Sequence, residues 1–207
     1  MSFHNWSSIT AGRKSDDASD RNDHNSDRNR VETANNRLYF YAGVNRSTVL
    51  TLNKSLKNME INTLNRATTL QADHVHKVYL HINSFGGSVF AGLSAMDYIK
   101  RSKIPITTVI DGCAASAATM MSVVAPHRQI HEHSFMLIHQ LSAGSWGKYE
   151  ELKDDMKNNE MLMKVIKSIY EQHTKVPKTQ LANILKHDLW WDAKTCLKYG
   201  LVDEILT

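Results

Sequence analysis

At 207 residues and 23.5 kDa the chain amounts to one ordinary domain, or one domain with a tail, which excludes a large multidomain machine. Its 25 Lys+Arg against 21 Asp+Glu leave a net charge of +4, and 42% hydrophobic with 22% charged residues is a globular mixture able to bury a core. No dense Lys/Arg block occurs, so the basic stripe of a nucleic-acid binder is missing.

Residues 1–36 read as a polar tail. Ser, Asp, Asn and Arg dominate, and the apolar residues Phe3, Trp6, Ile9 and Val31 are isolated, too few to offset the entropy of ordering the segment. Its charges alternate in sign, from Arg13 and Lys14 through Asp16, Asp17 and Asp20 to Arg30 and Glu32, a polyampholyte rather than a basic arm. No basic stretch followed by an apolar core opens the chain, so a secretory signal is not expected. The domain proper is expected over residues 37–207.

From Arg37 strand-like and helix-like stretches alternate. Arg37–Ala42 is short and aromatic. Val49, Leu52, Leu56 and Met59 recur at helical spacing, and Val78, Leu80 and Ile82 alternate within Lys77–Ser84 as in a strand. The pair Gly86-Gly87 breaks the chain before a helix striped by Val89, Leu93, Met96 and Ile99. Ile106–Ile110 is a β-branched strand, punctuated by Gly112, and an Ala/Met-rich helix follows from about Ser116. Phe135–Ile138 is a further buried strand. Leu152, Met156, Met163, Ile166 and Tyr170 stripe a long helix over roughly Lys148–His173, and Pro177 opens a short one. Asp192 is the expected N-cap and Gly200 the stop of the last helix, ahead of a strand at Leu201–Ile205. The class is α/β.

Cys113 and Cys196 have no paired spacing, which suggests neither a disulfide framework nor a zinc motif and fits a reducing cytosol. The longest weakly polar run, Cys113 to Ala125, is shorter than the ~20 residues a spanning helix needs, so no membrane segment is expected.

Three segments can carry chemistry. Gly112-Cys113-Ala114-Ala115-Ser116-Ala117-Ala118 joins a strand end to a helix start, setting the Ser116 hydroxyl beside free backbone N–H groups, as a nucleophile requires; a plain helix N-cap explains a lone serine equally well. Asn83-Ser84-Phe85-Gly86-Gly87 ends another strand, and its glycines can expose N–H groups as an oxyanion hole or substrate ledge; neither G-x-x-x-x-G-K-[ST] nor G-x-G-x-x-G is present, so nucleotide binding is rejected. His139 closes the apolar run Phe135-Met136-Leu137-Ile138, where a general base would be held in one orientation, although a structural histidine would look the same. His127, His131 and His133 read as surface or edge-strand residues without a metal-ligand pattern, and no metal or organic cofactor is called for.

Taken in order, INSFGGSV, GCAASAA, FMLIHQ, HTKV and KYGLVDEIL resemble the proteolytic subunit of Clp protease, ClpP, over roughly Leu38 to Thr207. The resemblance implies a serine peptidase of ClpP/crotonase-like α/β fold, with repeated β-β-α units and a protruding handle helix. It further implies stacked seven-membered rings enclosing a chamber in the cytoplasm, and an AAA+ unfoldase partner of ClpX or ClpA type. The family's nucleophile falls on Ser116, its base on His139 and its third member on Asp188 of His187-Asp188-Leu189-Trp190-Trp191, with oxyanion N–H groups from Gly87 and Ala117.

The sequence departs from the family pattern at Phe85, where proline is usual, at Ala117-Ala118 in place of Met-Gly, and at Leu141 in place of proline. Ser142–Lys148 resembles the handle region through which rings pair, whereas the tail does not reproduce the axial loops that meet the unfoldase. Other readings of the same fold are a maturation protease acting on an assembly scaffold without an unfoldase, a non-catalytic ring subunit, and a crotonase-type acyl-CoA enzyme. The last lacks an acid/base carboxylate near Gly87 or Ala117.

Overall fold

A computed structural model describes residues 30–71 and 76–207. An eight-stranded sheet forms its centre: β1 (Arg30–Ala34), β2 (Arg37–Tyr41), β3 (Val78–Ser84), β4 (Ile106–Ala115), β5 (His127–His131), β6 (Phe135–Leu137), β7 (Trp191–Asp192) and β8 (Glu204–Leu206). Strands β2, β3, β4, β5 and β8 run parallel in that spatial order, and β1 lies antiparallel on the outer side of β2. The parallel steps need crossovers. These are supplied by α1 (Arg46–Thr69), α2 (Val89–Lys100) and α3 (Ala117–Val123); α4 (Tyr149–His173), α5 (Lys178–Ile184) and α6 (Ala193–Lys198) follow β6.

Side-chain caps fix where α1 and α6 start. Asn45 caps α1, its side chain accepting from the N–H groups of Ser47 and Thr48 at 2.9 and 3.0 Å, while Thr48 Oγ1 accepts from Asn45 N–H in return. Asp192 caps α6 by accepting from Thr195 N–H at 2.8 Å, and Gly200 ends that helix at φ 66. The core lies between sheet and helices, from Leu38 and Phe40 of β2 through Leu80, Ile82, Ile106, Ile110 and Ile130 to Leu52, Ala95, Met121 and Tyr170 on the helices.

Three expectations change. The tail assigned to residues 1–36 overlaps β1: Arg30–Ala34 pair with the whole of β2 although only Val31 is even partly buried, because an edge strand is held by its ladder and not by apolar burial. Residues 1–29 lie outside the described residues. Of the surface or edge-strand reading of His127, His131 and His133, the edge-strand half changes: His127 and His131 sit on β5, which is interior to the sheet because β8 pairs along its outer side, while His131 and His133 are exposed as expected. Gly112 does not end β4. It bends it at φ 76, with a register irregularity against β3, so that Thr107–Ile110 pair with β5 and Cys113–Ala115 pair with β6. That bend delivers the end of β4 to the end of β6, and the candidate site lies there.

Candidate active site

Ser116 stands between the last residue of β4 and the first of α3 at φ 54, ψ −125, a backbone state that non-glycine residues rarely occupy. Its side chain makes no cap hydrogen bond, so the N-cap alternative fails. A capping serine needs extended backbone dihedrals to fold its oxygen onto the first turn, and Ser116 does not have them. Instead the backbone is tied on both sides: Ser116 N–H donates to Leu137 O at 2.9 Å, and Ser116 O accepts from Thr119 N–H at 3.0 Å and from Thr119 Oγ1 at 2.6 Å. Ala117 N–H, as the first amide of α3, has no intrahelical acceptor.

The turn after β3 closes against this point. Ser84 Oγ donates to Ala42 O at 2.6 Å and accepts from Gly86 N–H at 3.2 Å, pinning the start of the turn. Val44 N–H donates to Gly86 O at 2.8 Å and Ser88 N–H to Val44 O at 2.7 Å, which leaves the intervening Gly87 N–H without an acceptor among the described residues. A Cβ on Gly86 would meet Ala115 O at 2.5 Å and Ser116 Cβ at 2.8 Å; one on Gly87 would meet Val44 O at 2.3 Å. The glycine pair is therefore required by close backbone approach, at φ 88 and φ 147.

His139 follows β6 and is half-buried. The next residue is tied down, Gln140 N–H donating to Leu185 O at 2.7 Å. Asp188 lies in the exposed loop after α5, and its Oδ1 is 2.6 Å from His139 Nδ1. An ionised carboxylate only accepts, so Nδ1 carries the proton and Nε2 keeps its lone pair. The structure thus joins two of the three sequence-selected side chains directly. Ser116 comes to the same corner through the Leu137 contact two residues before His139, but among the described residues no hydrogen bond links Ser116 Oγ to His139.

Further residues lie around this corner, among them Thr119, which the sequence reading did not single out. Thr119 Oγ1 is 2.6 Å from the hydroxyl of Tyr170 near the end of α4, and Tyr170 is wholly buried, which pushes its phenol up to about 12. Thr119 falls three residues after Ser116, one turn along a helix, which is the signal that could have marked it. Phe85, exposed beside the glycines, meets Trp190 edge-on at 6.2 Å between centroids. Trp191 stacks on Tyr199 at 4.6 Å between centroids. Cys113 is half-buried, and desolvation raises its thiol pKa. Met120 and Met121 fill the core, whereas Met156 and Met161 are exposed. Among the described residues no group of His, Cys, Asp and Glu is arranged to hold a metal ion, and no helix is long and apolar enough to cross a membrane.

Comparison with known proteins adds the family. The Clp protease family model matches residues 32–207. The chain is 30% identical over 132 residues to the ATP-dependent Clp protease proteolytic subunit of Deinococcus radiodurans, covering 63% of this chain and 65% of that one. It is 32% identical over 176 residues to the subunit of the same name from Ostreococcus tauri, covering 83% and 85%. A mutant of ClpP1 from Listeria monocytogenes superposes with a TM-score of 0.71 at 22% identity, over 83% of this chain and 91% of that one, and shares its fold. On the reach of the family model from β1 to the C-terminus and on these relatives, the chain belongs to the Clp protease family, as a proteolytic subunit of the serine peptidase type.

Proposed function

We propose that the peptidase chemistry of this subunit is carried by Ser116 as nucleophile, His139 as general base and acid, and Asp188 as the group that orients His139, with the N–H groups of Gly87 and Ala117 receiving the oxyanion. The observation that carries the reading is the 2.6 Å bond between Asp188 Oδ1 and His139 Nδ1, reached across 49 residues and set beside a serine in a strained turn. It leaves Nε2 as the basic nitrogen.

In the reaction, His139 Nε2 takes the hydroxyl proton as Ser116 Oγ attacks a peptide carbonyl. The carbonyl oxygen becomes an oxyanion between two amide donors. His139 then passes the proton to the leaving amine as the C–N bond breaks, which leaves an acyl-serine. Water, deprotonated by the same imidazole, hydrolyses the ester and restores Ser116. Asp188 stabilises the imidazolium that forms at each half-reaction and keeps the ring in one tautomer. The Ser116–His139 hydrogen bond would form at the corner where β4 and β6 end together, Ala115 lying opposite Leu137.

Clp protease family proteins form oligomeric rings and work with Clp ATPases. The finer arrangement proposed for this chain is a homo-oligomer of stacked heptameric rings in the cytoplasm, fed with unfolded polypeptide by a ClpX- or ClpA-like AAA+ unfoldase, with the peptidase unit following a polar N-terminal segment. Support for face-to-face association comes from the apolar residues left uncovered at the start of α4 and just before it: Trp146 is 98% exposed, Tyr149 73% and Met156 62%.

The test is a serine-directed fluorophosphonate read by intact mass, with native size measured on the same preparation. One adduct per chain on Ser116 is expected, lost in Ser116→Ala with the assembly intact. Labelling at another residue, or none in a well-assembled sample, refutes the assignment. Adding the ATPase should switch on degradation of whole proteins while small peptides are cleaved without ATP.

A further inference from the structure

Ser116 holds a backbone conformation that its own side chain does nothing to stabilise, so neighbours must hold it. On the N-terminal side Leu137 O does so. On the C-terminal side the anchor is Thr119, which reaches Ser116 O twice, through its amide at 3.0 Å and its hydroxyl at 2.6 Å. The hydroxyl has one proton, and a carbonyl can only accept, so that proton points at Ser116 O. Thr119 Oγ1 must then be the acceptor in its 2.6 Å contact with Tyr170, whose O–H is the donor. The result is a directional chain from α4 to the nucleophile: Tyr170 O–H to Thr119 Oγ1, Thr119 O–H to Ser116 C=O.

Ser116 C=O and Ala117 N–H are opposite edges of one planar trans peptide unit. Whatever fixes the direction of that carbonyl fixes the direction of the amide proton on the other edge. We propose that Thr119 and Tyr170 are positioning residues of this peptidase: by clamping the Ser116 carbonyl they aim the Ala117 N–H at the oxyanion of the tetrahedral intermediate. The inference rests on the assignment of Ser116 as nucleophile and Ala117 as oxyanion donor. Thr119 is 0% and Tyr170 1% exposed, so neither touches substrate, and their effect falls on the tetrahedral state rather than on substrate binding. The far end of the chain is itself held, since Tyr170 O accepts from Thr174 N–H at 3.0 Å and from Thr174 Oγ1 at 2.6 Å. A rotation of the last turn of α4 would therefore be felt at the oxyanion donor.

The experiment uses the assembled full-length protein and the variants Thr119→Val, Thr119→Ser, Tyr170→Phe and the double Thr119→Val/Tyr170→Phe. Four quantities are read: kcat and KM on a fluorogenic peptide, affinity for a peptide boronate that becomes tetrahedral on the serine, and the thermal midpoint. Thr119→Val should lower kcat about 10-fold and weaken the boronate by a similar factor, with KM changed by less than about 2-fold. Tyr170→Phe, which keeps the ring packing, should lower kcat about 3-fold, and the double variant should match Thr119→Val, because the relay is already cut. Thr119→Ser should restore the parent values. Should Thr119→Val fail to assemble, Tyr170→Phe decides. A folded variant with parental kcat and boronate affinity, or one in which only the thermal midpoint moves, overturns the proposal. A wild-type assembly that the fluorophosphonate does not label overturns the nucleophile assignment and this inference with it; a labelled wild type with indifferent variants overturns this inference alone.

Discussion

Replacing Gly86 by alanine tests how tightly the ledge and the nucleophile are built against each other. The added Cβ would lie 2.5 Å from Ala115 O, 2.8 Å from Ser116 Cβ and 3.1 Å from Ala117 N, so the turn or the end of β4 must retreat by about 0.5 Å merely to relieve the worst contact. The backbone is at φ 88, where an L side chain costs about 1–2 kcal/mol. Overpacking against backbone atoms that belong to a sheet adds about 1–3 kcal/mol. The sum, roughly 2–5 kcal/mol, corresponds to a thermal midpoint lower by roughly 4–20 °C for a chain of this size. Activity should fall further than stability, because the atoms pushed aside are those of the nucleophile and its neighbouring amide. A displacement of that order costs on the order of 10–100-fold in kcat for the protein that remains folded. Differential scanning fluorimetry and fluorophosphonate labelling kinetics on the same sample separate the two effects. A Gly86→Ala protein that melts and labels like the parent would refute the close approach of the glycine turn to Ser116 from which the argument starts.

Asp188→Asn keeps the shape of the side chain and removes the carboxylate that accepts from His139 Nδ1 at 2.6 Å; kcat on a small peptide should fall by on the order of 10³–10⁴-fold, and a loss below 10-fold would count against the orienting role. Phe85→Ala removes the edge contact with Trp190 beside the glycine ledge, so the ratio of kcat/KM between substrates with large and small residues at the cleaved bond should shift about 3- to 10-fold, and an unchanged ratio would free Phe85 of any part in selectivity. Glu60 is held below its ordinary 4.5 by the Lys57 ammonium first and by the Lys103 backbone N–H second. Its contribution to stability is therefore present above the unfolded-state value and fades as the pH falls through the lower folded-state value. Glu60→Gln should melt a few degrees below the parent at pH 7, the gap narrowing as the pH drops below about 4.5, and a gap that widens on acidification would contradict the assignment.

The sequence by itself determined those elements whose pattern fits inside one window. The alternation of Val78, Leu80 and Ile82 gives β3, the spacing of Val49, Leu52 and Leu56 gives α1, and the caps Asp192 and Gly200 bound α6, because side-chain period and capping chemistry are local. It also supplied the chemistry of the site: a hydroxyl, an imidazole and a carboxylate, with glycines where backbone must come close. What only the tertiary structure decided depends on pairing between distant segments. β1 buries none of its residues fully and β5 buries only Ile130, so both are strands on account of the neighbours that hydrogen-bond to them. Whether Gly112 stops β4 or bends it depends on β6 arriving alongside Cys113–Ala115. The His139–Asp188 bond spans 49 residues and the Thr119–Tyr170 bond 51, distances at which local propensity carries no information. Sheet register and the seating of α4 against α3 bring those atoms within reach, and they follow from burying one shared core rather than from any single segment of the chain.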